Sequence, residues 1–132
     1  VGLYPVCNPF FMKQRVLSGL RFVLGSAFFE KVDHEDERCL TRPDLTGTRD
    51  DIERTLLHYE IHGGNVRVEN VAAKTKYMGN AGGQEEFRVG DGSECPEDKR
   101  SLAHIRERWP NLTQLTVRKD GRTEVKLLEP KA

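Results

Sequence analysis

His58 and His62 stand four residues apart in a segment that reads as a helix, so both imidazoles fall on one face. That spacing can hold zinc, with further ligands drawn from His34, Cys39 or Cys95. The run His58-Tyr59-Glu60-Ile61-His62 is not a His-Glu-x-x-His motif, because its acid is out of place for a metalloprotease base. Histidine near a helix C-terminus is favourable in its own right, and that plainer role is expected here. Asp33, Glu35, Asp36 and Glu37 gather carboxylates without the glycine and alternation of a calcium loop, which reads as a solvated turn. Gly79-Asn80-Ala81-Gly82-Gly83 is glycine-rich, but no Lys-Ser/Thr follows, so it lacks the context of a phosphate cradle. No Gly-x-Ser-x-Gly occurs. Cys95 could have a lowered pKa just before a helix start, yet it reads as a small residue beside Pro96. No catalytic, cofactor-binding or metal-binding residue is assigned, no cofactor is expected, and the chain is not read as an enzyme.

The remaining chemistry is cationic and aromatic. Lys13 and Arg15 follow Phe10-Phe11, and Arg21 lies in the same stretch. Arg118, Lys119 and Arg122 cluster near the C-terminus. Aromatic stacking with nearby cations is how a chain grips single-stranded RNA, and the same groups suit an acidic protein neighbour. These eight residues are the candidate partner or RNA contacts. Trp109 fits a core stripe too well to serve as a base platform. Net charge is zero, which argues against free-standing nucleic-acid binding. Its distribution is uneven: residues 1–29 contain no acid, while residues 101–132 hold seven basic and four acidic groups. Cationic ends around an acidic middle suit a protein seated in an assembly.

A chain of 132 residues is one domain's worth. Three cysteines, an odd count at wide spacing, fit a reducing compartment better than a disulfide scaffold. No run approaches the roughly 20 apolar residues of a membrane span. Residues 1–20, with Pro5 and Pro9, are expected to form an N-terminal extended arm lying on a partner, with a short helix over 10–20. Residues 21–132 are expected to form a single α+β domain.

Residues 21–32, rich in Phe and Val, read as a strand or a bent pair around Gly25. Residues 43–47 read as a loop. A helix is expected over 49–61, with Thr48 as N-cap, its hydroxyl accepting from the Asp51 amide, and Asp51 as the acid of a capping box. Ile52, Leu56 and Tyr59 make its core stripe with Leu57, and Gly63-Gly64 provides a left-handed exit. Asn65 to Val71 reads as a strand with Val66 and Val68 inward. Paired with a strand at 21–32 it would be parallel, with a right-handed crossover. Residues 74–84 read as a flexible loop and 86–89 as a short strand. Pro96 opens a second helix with Leu102, Ile105 and Trp109 buried, and Pro110 stops it. Asn111-Leu112-Thr113 matches a glycosylation acceptor but reads as the helix exit. The end is a hairpin. A three-residue loop, Lys119-Asp120-Gly121, keeps one apolar face by pairing Val117 with Thr123 and Leu115 with Val125, and needs Gly121 left-handed. The expected fold is a small mixed sheet with two main helices and a C-terminal β-hairpin.

Gly47-Thr48-Arg49-Asp50-Asp51-Ile52 and Asn65-Val66-Arg67-Val68 resemble the helix start and following strand of a thioredoxin-like family. Certain mitochondrial ribosomal proteins and a small accessory subunit of respiratory complex I share that family. The resemblance spans about residues 15–109, with 96–109 as the closing helix. It departs at 72–84, has Ile52 where an aromatic is expected, and leaves the hairpin as an addition. It implies a β-α-β…β-α order and a scaffold without redox chemistry. The implied function is a non-catalytic structural subunit of a large mitochondrial assembly, the mitochondrial ribosome first and complex I second. Its partners would be neighbouring subunits, with ribosomal RNA as a further contact. The alternative is an independent α+β regulatory module that dimerises through its sheet.

Overall fold

The computed structural model describes residues 1–25, 27–30, 37–74, 96–119 and 121–130. The chain runs β1 (Gly2–Leu3), β2 (Val16–Gly19), a short helix α1 (Pro43–Thr46), α2 (Asp50–His62), β3 (Asn65–Val68), α3 (Pro96–Arg108), β4 (Thr113–Val117) and β5 (Thr123–Leu127). This is a small α+β fold with two main helices, a three-stranded sheet ordered β1-β3-β2 and a β4-β5 hairpin.

Helix α2 forms where the 3.6-residue period predicts it. Ile52, Leu56 and Leu57 are buried, and Tyr59 packs against them. Its start differs from the expected one. Arg49, not Thr48, occupies the N-cap, with no side-chain cap bond, because a short 3-10 turn over Gly47–Arg49 leads directly into Asp50. The Asp51 carboxylate instead accepts from the next amide, Ile52 N–H, at 2.8 Å. Residues 43–46, expected as loop, form the short helix α1. At its far end α2 closes on Gly63, at φ 77°, whose N–H donates to the Tyr59 carbonyl at 2.9 Å. Helix α3 begins at Pro96 and buries Leu102 and Ile105, with Trp109 just beyond it. Leu20 joins Ile52, Leu56, Leu57, Ile105 and Trp109 in one core, and Phe22, Leu112, Val125 and Leu127 pack around it.

The three-stranded sheet is assembled differently from expectation. Gly2 and Leu3 pair in parallel with Arg67 and Val68, while Val16–Gly19 runs antiparallel to Asn65–Val68. Residues 1–20, expected as an arm with a helix over 10–20, thus contain both strands that flank β3. Residues 21–25 and 27–30 form no strand and make one isolated bridge, Phe28 to Gly2. Their amides find other partners: Val23 N–H donates to the Thr55 hydroxyl at 3.2 Å, and Ala27 N–H to the Leu24 carbonyl at 3.4 Å. The strand before α2 therefore pairs antiparallel with β3, not in the parallel arrangement expected of residues 21–32.

The facing of β3 is also the reverse of the expected one. Arg67 is the inward residue, with its side chain only 15% exposed, whereas Val66 is 38% exposed. A guanidinium goes inward only if its charge and terminal donors are met. Glu69 at 2.6 Å, the Phe22 carbonyl at 3.4 Å and the Tyr4 ring, 5.3 Å from the guanidinium carbon to its centroid, meet them here.

The hairpin has the expected register, Val117 opposite Thr123 and Leu115 opposite Val125. Gly121 sits at φ 83°, and its N–H donates to the Arg118 carbonyl at 3.0 Å. A Cβ there would meet nothing within 4 Å, so substitution is opposed by backbone conformation alone. Gly121→Ala is expected to cost about 1 kcal/mol, read as a lower urea midpoint at unchanged slope. The Asn111-Leu112-Thr113 triplet serves the helix exit: Thr113 is buried and its hydroxyl donates to the Trp109 carbonyl at 2.7 Å. Arg106 donates to the Pro110 and Thr113 carbonyls, satisfying acceptors beyond the end of α3. The strand expected at 86–89 and nearly all of the 74–84 loop lie outside the described residues.

Candidate functional site

Between β1 and β2 the chain makes a loop fastened at both ends to the strand end beyond β3. Tyr4 N–H donates to the Val71 carbonyl at 2.9 Å, Lys13 N–H to the Glu69 carbonyl at 3.2 Å, and Glu69 N–H to the Arg15 carbonyl at 3.0 Å. Asn8 shapes the tip. Its side-chain oxygen accepts from Phe10 N–H and its carbonyl from Phe11 N–H, both at 3.1 Å. Such Asx geometry is a turn that asparagine can form alone. It presents Phe10 and Phe11 to solvent, 81% and 53% exposed, with rings edge to face at 5.0 Å. Burying one such side chain is worth about 1.5–3 kcal/mol, which this fold leaves unused. Val6 and Val16 are exposed as well, and so are Cys7 and Lys13.

The cations expected to accompany the two rings are mostly engaged. Arg15 meets Glu69 at 2.6 Å, Arg21 meets Glu129 at 2.8 Å, and Arg118 meets Glu124 at 2.7 Å. Arg122 offers its carbonyl to Arg118 N–H at 2.8 Å, and Lys119 is exposed on the hairpin turn. The eight candidate residues thus fall in three places: Phe10, Phe11, Lys13 and Arg15 on the N-terminal loop, Arg21 in a cleft, and Arg118, Lys119 and Arg122 at the hairpin end. Glu69 itself is almost fully buried, and Arg67 first, then Arg15, holds its carboxyl below the ordinary range.

The two histidines of α2 have ring centroids 5.5 Å apart, and His58 Nε2 lies 3.2 Å from a Glu30 carboxylate oxygen. Among the described residues no three His, Cys, Asp or Glu side chains come together as a metal set. His34 and Cys95 lie outside those residues.

The cleft is a feature that sequence reasoning missed. It has a volume of about 470 Å³ and is lined by Leu20, Phe22, Ile52, Val125 and Leu127 together with Arg21, Arg49, Arg67, Asp51 and Glu124. Four separate stretches of chain converge there, so no local motif announces it. The one legible signal was Arg67, a charge alternating with two valines in a strand. Burial pushes the Asp51 carboxyl up, opposed by the Ile52 N–H it accepts and reinforced by Asp50. The Nε atoms of Arg21, Arg49 and Arg67 are buried without a hydrogen-bond acceptor among the described residues. That of Arg49 lies 3.6 Å from an Asp98 carboxylate oxygen, a long ion pair, whereas those of Arg21 and Arg67 have no such partner among the described residues; an orphaned buried donor costs about 1–3 kcal/mol.

No protein-family model, curated protein or solved structure matches this chain. No helix among the described residues is long and apolar enough to cross a membrane.

Proposed function

We propose that this chain is a non-catalytic subunit of a larger assembly, seated on a neighbouring subunit through its N-terminal loop. The observation that carries the reading is the Phe10-Phe11 pair, exposed on a turn fastened at both ends. Aromatic anchors held in place before binding lose little freedom on docking, which is how a small patch gains affinity. Residues 1–29 contain no acid, so the complementary surface is an apolar pocket with an acidic rim. The ion pairs of Arg15, Arg21 and Arg118 favour a protein neighbour over RNA, since a guanidinium already holding a carboxylate has less to offer phosphate.

The resemblance at Gly47–Ile52 and Asn65–Val68 supports a mitochondrial assembly, the ribosome before complex I. The test is the Phe10→Ser/Phe11→Ser double variant, expressed with a tag in cells and followed through gradient fractionation of mitochondria. The wild-type chain is expected to co-sediment with ribosomal RNA of one mitoribosomal subunit. The variant is expected to remain at the top of the gradient. Because both rings face water, its urea midpoint should match wild type within about 0.5 kcal/mol of stability. Wild-type chain absent from both the ribosome and complex I fractions would overturn the mitochondrial assignment. Co-sedimentation unaffected by the double substitution would overturn the loop as the seat. A second reading, a module that dimerises through its sheet, draws on Val16, 61% exposed on the outer strand β2. A mass that doubles with concentration, and is lost in Val16→Lys, would favour it.

A further inference from the structure

We propose that the outer edge of β2 takes up an extended, acidic segment of the neighbouring subunit as an added strand. This rests on the docking reading and deepens it, by naming the element of the neighbour that the chain receives. In an antiparallel pair, residues that exchange backbone bonds with the partner strand alternate with residues whose N–H and C=O point away from it. Glu69 N–H donates to the Arg15 carbonyl at 3.0 Å, and the register sets Leu17 opposite Arg67 and Gly19 opposite Asn65. Leu17 and Gly19 therefore turn their backbone groups to β3, and Val16 and Ser18 turn theirs outward. Among the described residues no other backbone group pairs with them.

The opposite edge of the same sheet is covered. Beyond β1, Phe29 N–H donates to the Val1 carbonyl at 2.7 Å and Phe28 bridges Gly2. Open edges are commonly blunted by a charge or a proline, but Val16–Gly19 has neither, and its outward residues Val16 and Ser18 are exposed. Val16 lies opposite Val68 and Ser18 opposite Val66, so an added strand would extend an outer face that already carries valines. The strand is short, and its four outward groups alone hold a partner weakly. The Phe10-Phe11 loop, which leads into β2 through Lys13, supplies the rest. Charge selects the occupant. Lys13 is exposed, and the Arg15 side chain is 56% exposed although it holds Glu69. Beyond the strand, Arg21 takes Glu129 at 2.8 Å. A second copy would bring the same cations and, with no acid in residues 1–29, nothing from its own strand to meet them. An acidic strand meets both Lys13 and the outer side of Arg15.

Amide hydrogen exchange of the full chain, read residue by residue, tests this without altering the sequence. In the free chain the Val16 and Ser18 amides are expected to exchange at least about tenfold faster than the Leu17 amide between them. In chain recovered by its tag from the assembly fraction, both are expected to slow at least about tenfold. Protection already present in the free chain would overturn the proposal. Protection that appears as the free chain is concentrated would do the same, in favour of a second copy. Amides that stay fast in the assembly would overturn it while leaving the loop docking intact. Wild-type chain found in no assembly would overturn the docking reading and this inference with it. Ser18→Pro removes one outward donor, which an edge strand tolerates, and spares the bonds to β3. It should lower co-sedimentation roughly tenfold at an unchanged urea midpoint, and Ser18→Ala should leave both as in wild type. Equal loss in both variants would assign the contact to the hydroxyl and overturn the added strand, as would full co-sedimentation of Ser18→Pro. Lys13→Glu should also lower co-sedimentation, and full retention would overturn the acidic occupant.

Discussion

Removal of residues 1–20 is expected to abolish the cooperative unfolding transition of this protein. The deletion takes away β1 and β2, which are both neighbours of β3, so the central strand loses every ladder bond it makes. It also removes Leu20 from the core, and Arg15 from its pair with Glu69. A domain's net stability is only about 5–15 kcal/mol, and each large buried side chain supplies about 1.5–3 of it. Losing a core leucine together with two strand pairings exceeds what the remaining elements can absorb. The hairpin survives as local structure at most, since two strands alone are marginal in water. Urea titration followed by circular dichroism distinguishes the cases. The full chain should show a single sigmoidal transition, and the truncation a shallow slope without baselines. A cooperative transition in the truncation, at a midpoint near that of the full chain, would show that these residues lie on the domain and not within it.

That prediction marks where the sequence is a poor guide. Helices α2 and α3 and the hairpin are local structures. Their stripes, the exit at Gly63 and the register around Gly121 depend on residues a few positions apart, so period and turn chemistry locate them. The partners of β3 are set by pairings some fifty residues distant, which leave no periodic trace. Val16, Leu17 and Leu20 satisfy a helical spacing equally well, and only the pairing with Asn65–Val68 decides for a strand. Residues 21–25 and 27–30 have strand-like composition but make only an isolated bridge to Gly2, and the Val23 and Ala27 amides go to Thr55 and to a local turn. The candidate contacts divide in the same way. Phe10 and Phe11 stood out by type, in a stretch without acids. The cleft did not, because Arg49 reads as part of a helix start and Arg67 as the outward member of a strand. A charged side chain turns inward when a carboxylate meets it: for Arg49 that is Asp98, remote in sequence, and for Arg67 it is Glu69, two residues on, whose own burial no local pattern announces.

Glu69 is the test of that last point. Its carboxylate takes Arg67 and Arg15 at 2.6 Å each, and its side chain is 3% exposed. The Glu69→Gln variant is expected to lose about 2 kcal/mol at neutral pH, since Arg67 would stay largely buried without its counter-charge while Arg15 turns to water. The effect should depend on pH in a definite direction. The carboxyl is held below the ordinary glutamate range in the folded chain, so the unfolded chain binds the proton first as pH falls. The stabilisation is therefore complete above the unfolded value of about 4.3 and is lost as pH drops through the folded one. Wild type and Glu69→Gln should accordingly begin to approach one another in stability below about pH 4.3 and meet only below the folded value, an approach that urea midpoints measured between neutral pH and about pH 3 would show. Asp51 works in the opposite sense. Burial raises its carboxyl, so its charge costs stability above the folded value, and Asp51→Asn should gain most at neutral pH. Curves for Glu69→Gln and wild type that stay parallel down to pH 3 would mean that the two arginines do not hold this carboxylate. Glu69 also joins the two surfaces discussed above, because Arg15 closes the phenylalanine loop and Arg67 walls the cleft. Losing one buried carboxylate should therefore loosen both at once.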